Sequence, residues 1–401
     1  MSGRRIAIVA GEASGDMLGA ALIRAVRERE PDAKFYGIAG PKMMAEGAES
    51  LFPMEKLSVS GYVEVIRHLP ELLSIRRQLA KRFIEDRPDV FIGVDAPDFN
   101  LALETKLRSK GIRTVHYISP SIWAWRAERI HKIKRAVDHM LAVFPFEEAI
   151  YEKAGIPVSY VGHPLADQMP LDPDRDGARS QLRLAKAGPA VAMLPGSRMK
   201  ELVAHADLVI EAARILHKER PDLRFFIPLA TRETRDYFEA RLYALEANEL
   251  PITILFGHAR LALNAADVAL VASGTATLEA ALARCPMVIT YRVPKLTYWL
   301  MMRKALLPYV GLPNILAGEF IVPELLQEDA TPQNLAQALG NWLDNKDARA
   351  MLRERFAEMH HGLARGHDER VAQALQPFLA SGPGGASHAN AQGNHLAALR
   401  G

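Results

Sequence analysis

Short apolar runs alternate with helix-period segments along most of the chain, in two successive sets. The first set is Ile6–Ala10, Lys34–Ile38, Val90–Val94, Thr114–Ile118 and His139–Phe144. The second is Ala190–Leu194, Arg224–Ile227, Thr253–Leu255, Val268–Val271 and Met287–Tyr291. Each run is closed by turn residues and followed by a stretch with helical spacing of its apolar positions. Strands separated by helices pair in parallel with helices on both faces, so the pattern predicts doubly wound α/β sheets. The alternation halts at Asp172-Pro173-Asp174-Arg175-Asp176-Gly177 and then restarts. A chain of 401 residues is also long for one core. The expectation is two Rossmann-like halves across a cleft, residues 1–170 and 171–345. Helical stretches over 346–379 then pack back on the first half or onto a second chain as a homodimer, and 380–401 is a disordered polar tail.

Charge excludes some partners. Fifty basic against 47 acidic residues leave +3, too little to argue for nucleic acid. Cys285 is the only cysteine, which rules out an intrachain disulfide and fits a reducing cytosol. The start, MSGRRIAIVAGEASGD, runs from a short apolar segment straight into a Gly/Asp turn and reads as a first strand rather than a signal peptide. No stretch approaches an uninterrupted membrane span.

Ligands of open parallel sheets bind beyond the carboxyl ends of the strands, so the turns there carry the information. In GVDAPDFN, two carboxylates, Asp95 and Asp98, stand where the buried run Val90–Val94 ends. A carboxylate in that place must be hydrogen-bonded, paired or functional. From the start of GEASGD, Gly11, Gly15 and Gly19 recur every four residues, which is not the dinucleotide fingerprint. That turn enters a helix near Met17, which Ser14 or Asp16 would cap if it binds nothing. LPGSR offers the amides of Gly196 and Ser197 and the guanidinium of Arg198 to an anion. ASGTATLEAAL is richer. Ser273, Gly274, Thr275 and Thr277 open a helix where a diphosphate would be favoured, and Glu279, a turn further on, would accept from both hydroxyls of a ribose. The plain alternative is a capped helix with Glu279 offsetting the dipole. No metal or other cofactor is expected. Asp172-Pro173-Asp174 is a bare D-x-D in a linker, and His360-His361 reads as a solvated pair on a late helix.

Two stretches mix cations with apolar side chains. One, within Tyr62–Phe83, interleaves Leu69, Leu72, Leu73 and Leu79 with Arg76, Arg77, Lys81 and Arg82. The other, within Tyr291–Val310, sets Trp299, Met301 and Met302 among Arg292, Lys295, Arg303 and Lys304. Each suits an anionic membrane surface or, more simply, an amphipathic core helix. A third basic stretch, Arg126–Arg135, follows SIWAW and is placed to meet a phosphate.

Taken in order, GEASGD, GVDAPDFN, HYISPSIWAWR, VGHPLADQMPLDP, LPGSR, ASGTATLE and GLPNILAG resemble the lipid-A-disaccharide synthase family, over nearly the whole chain to about Leu379. The resemblance implies a GT-B glycosyltransferase that joins UDP-2,3-diacylglucosamine to 2,3-diacylglucosamine 1-phosphate (lipid X), giving a β-1,6-linked disaccharide 1-phosphate and UDP. It implies UDP on the second half, the acceptor on the first, and a peripheral place at the inner face of the cytoplasmic membrane. An α-linked donor and a β-linked product require inversion, hence a base for the acceptor hydroxyl. The resemblance points to the aspartates of GVDAPDFN for that base; Asp95, which a rigid strand end can aim into the cleft, is the first choice, with Asp98 in reserve or capping the following helix. Arg198 and the turn at Gly274–Thr277 would take the diphosphate, Glu279 the ribose, and Asn314, in a loop, would touch the nucleotide. Ser14, Trp125 and Arg126 would lie on the acceptor side. Two other readings stay open: a UDP-N-acetylglucosamine 2-epimerase, which would not use the basic apolar stretches, and a two-lobed binding protein without catalysis.

Overall fold

The computed structural model describes residues 3–57, 62–184 and 188–380; the tail after Ser381 lies outside them. The first sheet is built from β1 (Arg5–Ala10), β2 (Lys34–Ile38), β3 (Glu49–Ser50), β4 (Val90–Val94), β5 (Thr114–Tyr117), β6 (His139–Ala142) and β7 (Val158–Tyr160). The second is built from β8 (Ala190–Leu194), β9 (Arg224–Leu229), β10 (Ile252–Phe256), β11 (Val268–Ala272), β12 (Met287–Tyr291) and β13 (Glu324–Leu326). Their orders are β3-β2-β1-β4-β5-β6-β7 and β10-β9-β8-β11-β12-β13. All ten runs expected as strands are strands. The three that periodicity does not reveal, β3, β7 and β13, are edge strands of two or three residues. The expected His139–Phe144 strand stops at Ala142, because Phe144 is already the cap of helix Pro145–Lys153 and Glu147 takes its N–H.

Pairing is parallel throughout, as in β1 with β4 and β8 with β11. Strands covered on both faces read as continuous apolar runs, and β4 and β11 are buried at all five positions. In each sheet the order reverses beside the first strand, between β1 and β4 and between β8 and β11. The loops leaving those four strands are where a doubly wound fold opens a crevice.

The polar stretch at Asp172–Gly177 is docked rather than free. Asp174 accepts from the N–H of Gly177 at 2.8 Å and caps helix Arg175–Gln181, while Arg175 bonds Ala266 O and Asp267, each at 2.6 Å. Asp172 pairs with Arg284 at 3.3 Å. Both carboxylates of the D-x-D are therefore engaged with the protein.

After the second sheet, helices Lys346–Leu363 and His367–Ala380 return to the first half. Arg113 donates to the carbonyls of Pro377 and Phe378 (3.1 and 2.6 Å), the Tyr117 hydroxyl meets His367 Nε2 at 2.6 Å, and Tyr160 donates to Gly362 O at 2.8 Å. His360, expected to be solvated, is fully buried, with Nε2 2.7 Å from the carbonyl oxygen of Ala166. The helix face it occupies is the one that returns to the first half. Leu352, Phe356 and Leu363, at helical spacing from it, are buried on the same face.

Candidate active site

The crevice holds a cavity of about 720 Å³ walled by both halves. Glu12, Ala13 and Ser14 close it from the turn after β1. The second half contributes Gly196, Ser197 and Arg198 after β8, Pro228–Ala230 at the end of β9, Ala272–Ala276 after β11, and Glu279. Across it, Arg198 pairs with Glu12 at 2.6 Å. Each of these residues is the N-cap of the helix that follows the first strand of its half, Ala13–Arg29 and Met199–Glu219. Two positions related by the internal likeness of the halves thus face each other with opposite charge.

The turn after β11 is the open one. Gly274 has φ 142°, a conformation that side chains with a Cβ rarely adopt, and a Cβ there would meet nothing within 4 Å. Helix Thr275–Leu282 begins immediately afterwards, and the first N–H groups of a helix have no acceptor within it. Ser273 lines the cavity while its hydroxyl donates to Val310 O at 3.2 Å. Glu279 lies in the wall; burial raises its carboxyl above the usual range, and Arg260 partly opposes that.

The turn after β8 differs from the expectation that its amides wait for an anion. Glu201 Oε2 already accepts from the N–H groups of Ser197 and Arg198, at 3.1 and 3.4 Å. The capping-box carboxylate has taken the place of a ligand there, so the group this turn presents to the cavity is the Arg198 side chain.

Asp95 follows β4 in the left-handed region, φ 50°, and Ala96 shares it at 44°. Three bonds from Asn100 Nδ2, to the carbonyls of Val9, Val94 and Asp95 at 3.2, 3.4 and 2.8 Å, hold this turn, and the Asp95 N–H donates to Tyr117 O at 3.0 Å. Burial pushes the Asp95 carboxyl up from the ordinary range; His116, a bond from Ala96 N–H, and Arg198 act against it. Asp95 is not part of the cavity wall itself. It sits one strand over from the Glu12–Ser14 turn, within electrostatic reach of Arg198.

Several expectations need correction. Asp98 is mostly exposed and paired with Arg129 at 2.7 Å; it lies inside helix Pro97–Arg108 and makes no cap bond. Neither Ser14 nor Asp16 caps the first helix, which starts at Ala13. Asp16 is buried and accepts from Lys42 and Met43 N–H, each at 2.9 Å, while Ser14 lines the cavity. Thr277 is buried; its hydroxyl donates to Gly274 O (2.8 Å) and accepts from Leu312 N–H (3.2 Å). Asn314 is not in a loop but in helix Leu312–Ala317, fully buried, and both ends of its amide are spent on Val322, Ile321 and Glu324. Thr277 therefore braces the open turn from behind, while Asn314 ties its own helix to the segment Ile321–Glu324.

Trp125 and Arg126 lie outside the cavity wall. Arg126 stacks on Trp125 at 4.2 Å, and Trp125 forms an antiparallel bridge to Ala305 of the other half. Glu12 lies within the GEASGD motif but is not among the residues singled out from it. The signal was available, since it is the charged residue immediately after a buried first strand. Glu201 was equally legible as the third residue of a helix. Among the described residues, no cluster of three or more His, Cys, Asp or Glu side chains is arranged to hold a metal.

Comparison with known proteins agrees with this geometry. The family model for lipid-A-disaccharide synthetase matches residues 6–376. A lipid-A-disaccharide synthase from Methylobacillus flagellatus is 59% identical over 374 residues, 93% of this chain and 99% of that protein. Among solved structures, the calicheamicin glycosyltransferase CalG4 superimposes with a TM-score of 0.63 at 14% identity, covering 95% of this chain and 99% of that one. The UDP-GlcNAc 2-epimerase from Neisseria meningitidis, bound to UDP-GlcNAc, gives 0.62 at 12% identity, covering 94% and 100%. At such identities the structural likeness speaks for the fold alone, two Rossmann-like domains in the GT-B arrangement. The sequence likeness is far closer and spans the whole site, and the chain belongs to the lipid-A-disaccharide synthase family of glycosyltransferases.

Proposed function

We propose that the chain transfers 2,3-diacylglucosamine from UDP to the 6-hydroxyl of lipid X in one inverting displacement. The observation that carries the reading is the division of the crevice. The second half presents an open helix start, a cation and a wall carboxylate, and the first half holds the half-buried Asp95 carboxylate at a strand end, one strand over from the wall. The donor's UDP sits against Ser273–Ala276 and Arg198, with Glu279 on the ribose. Asp95 removes the hydroxyl proton as the oxygen attacks the anomeric carbon, and the bond from that carbon to the β-phosphate oxygen breaks. The electron pair leaves with UDP, whose charge is met by Arg198 and the helix start, in the manner of a preorganised anion site. A carboxyl raised by burial suits proton abstraction near neutral pH.

Diacylated substrates must be drawn from a lipid surface, and the apolar, cationic segments fit that task. No helix among the described residues is long and apolar enough to cross a membrane. Helix Lys295–Met302 leaves Trp299, Met301 and Met302 substantially exposed, with Arg303 stacked on Trp299 at 4.1 Å. Trp125 and Arg126 lie beside this segment, joined to it by the bridge to Ala305, where an acceptor phosphate can approach. The enzyme would work at the inner face of the cytoplasmic membrane, held by these segments.

The test is UDP release from UDP-2,3-diacylglucosamine with and without lipid X, in wild type, Asp95→Ala and Asp98→Ala. Release that needs the acceptor and collapses only in Asp95→Ala is expected. Release without acceptor, or collapse in Asp98→Ala alone, contradicts the reading.

A further inference from the structure

The hydrogen bonds behind the open turn run on to a side chain that the displacement does not use. Ser273 and Thr277 flank Gly274, and both hydroxyls are bound to one short segment, residues 310–312. Ser273 donates to Val310 O and Thr277 accepts from Leu312 N–H, each at 3.2 Å. That segment is held in turn by Glu324, the first residue of β13. Glu324 Oε2 accepts from Val310 N–H at 2.9 Å, and Oε1 accepts from Gly311 N–H at 2.9 Å and from the Asn314 amide at 2.8 Å. Glu324 pairs in register with Ile289 of β12, the strand that separates β13 from β11. It therefore reaches the turn after β11 from two strands away. The seating is close: a Cβ on Gly311 would fall 2.1 Å from Ile289 Cδ1 and 3.1 Å from Glu324 Oε1, and Ile289 is fully buried.

We propose that Glu324 is a positioning residue for the diphosphate: by fixing segment 310–312 it fixes Ser273 and Thr277, and through them the amides of the turn between. The proposal rests on UDP lying against Ser273–Ala276. Gly274 has no side chain to anchor it and nothing within 4 Å of where a Cβ would stand, so the shape of the turn is set by its neighbours. Those neighbours are the two hydroxyls, and every link from Glu324 to the cavity wall is a hydrogen bond: Glu324 to Val310, Val310 to Ser273, and by the second arm Gly311 to Leu312 to Thr277 to Gly274 O. Capping of helix Leu312–Ala317 accounts for the bond to Gly311, its N-cap. It does not account for the bond to Val310, which lies before that helix and whose carbonyl is the one Ser273 uses. Glu324 is not in the cavity wall, so its influence on the nucleotide passes through the turn.

The experiment compares the affinities of UDP and of uridine, which lacks the diphosphate, for wild type, Glu324→Gln and Thr277→Val, with melting temperature measured alongside. Glutamine turns one of the two accepting oxygens into a donor that faces an N–H, so one arm of the support is lost. UDP is expected to bind at least about tenfold more weakly, the size of one lost hydrogen bond to a charged group, while uridine binds as in wild type. UDP and uridine affinities that fall by the same factor, or that both stay at the wild-type values, would mean a structural role only and overturn the proposal. Should Glu324→Gln fail to fold, Thr277→Val decides. It cuts the same chain at the far end and leaves Glu324 in place, and the preference for UDP over uridine should shrink there too; an undiminished preference overturns the proposal. Wild type separates the two readings. Equal affinity for UDP and uridine there ends the placement of the diphosphate at this turn, whereas a preference present in wild type and kept in both variants ends only the role of Glu324.

Discussion

In the first half, the strand next to β1 is followed by Asp95 and Ala96, two residues with side chains at φ 50° and 44° in a turn held by the buried Asn100 amide. In the second half the corresponding strand, β11, is followed by Ser273 and Gly274, the glycine at φ 142° with open space where a Cβ would be. Both positions adjoin the point where strand order reverses, so topology makes each of them a place for a ligand. What differs is the rigidity and charge placed there. The first half spends backbone strain on aiming one carboxylate, while the second keeps a bare turn whose amides can meet an anion from several angles. On the proposed reading, one fold, used twice, yields a reactive side and a binding side.

The sharpest way to break that comparison is to neutralise the reactive side. Asp95→Asn should lower kcat by about a thousandfold, within the usual reach of a general base, and leave UDP affinity within about twofold of wild type. Calorimetric UDP titration beside a turnover assay checks both halves of that statement. Loss of UDP binding in this variant would mean the two sides are not separable. Arg198→Ala should act oppositely, weakening UDP binding as well as turnover, by about a hundredfold in kcat/KM, as for the loss of one preorganised anion contact. Gly274→Ala places a Cβ on a strained backbone costing about 1–2 kcal/mol, so UDP should bind about tenfold more weakly while the Asp95-dependent acid limb stays in place. The smallest effect belongs to the pair that spans the crevice. Glu12→Gln frees Arg198 from a largely exposed ion pair worth no more than about 1 kcal/mol, so UDP should bind up to about fivefold more tightly. Weaker binding would instead make Glu12 part of the nucleotide site.

Legibility followed the same division. Both sheets could be read from the sequence because strands buried on two faces carry uninterrupted apolar runs, and β4 and β11 are buried throughout. Edge strands such as β3, with two residues, leave no periodic trace. At the candidate site, residues that stand out by position along the chain were visible: Asp95, Arg198 and Gly274 all lie within four residues of the end of an apolar run. Those acting through tertiary partners were not. Nothing local distinguishes the hydroxyl of Thr277, which braces a loop, from that of Ser273, which lines the cavity. Asn314 is polar in a polar-looking motif, yet its amide is consumed by residues up to ten positions later. Asp16 carries the same lesson, since its carboxylate is bound by backbone 26 and 27 residues away.

The closing helix has a consequence for how the chain is made. Tyr117 finds its hydroxyl partner 250 residues further along, and Arg113 finds its two carbonyls 264 and 265 residues further along. A ribosome that has finished the first sheet has still to translate the entire second sheet before those contacts exist. The nascent first half therefore waits with a surface uncovered, long enough for chaperones to find it, and it is sealed only by the last stretch of described chain to emerge. Removing that last helix would wound the opposite end of the molecule, and a protease would register the damage in the half that was synthesised first.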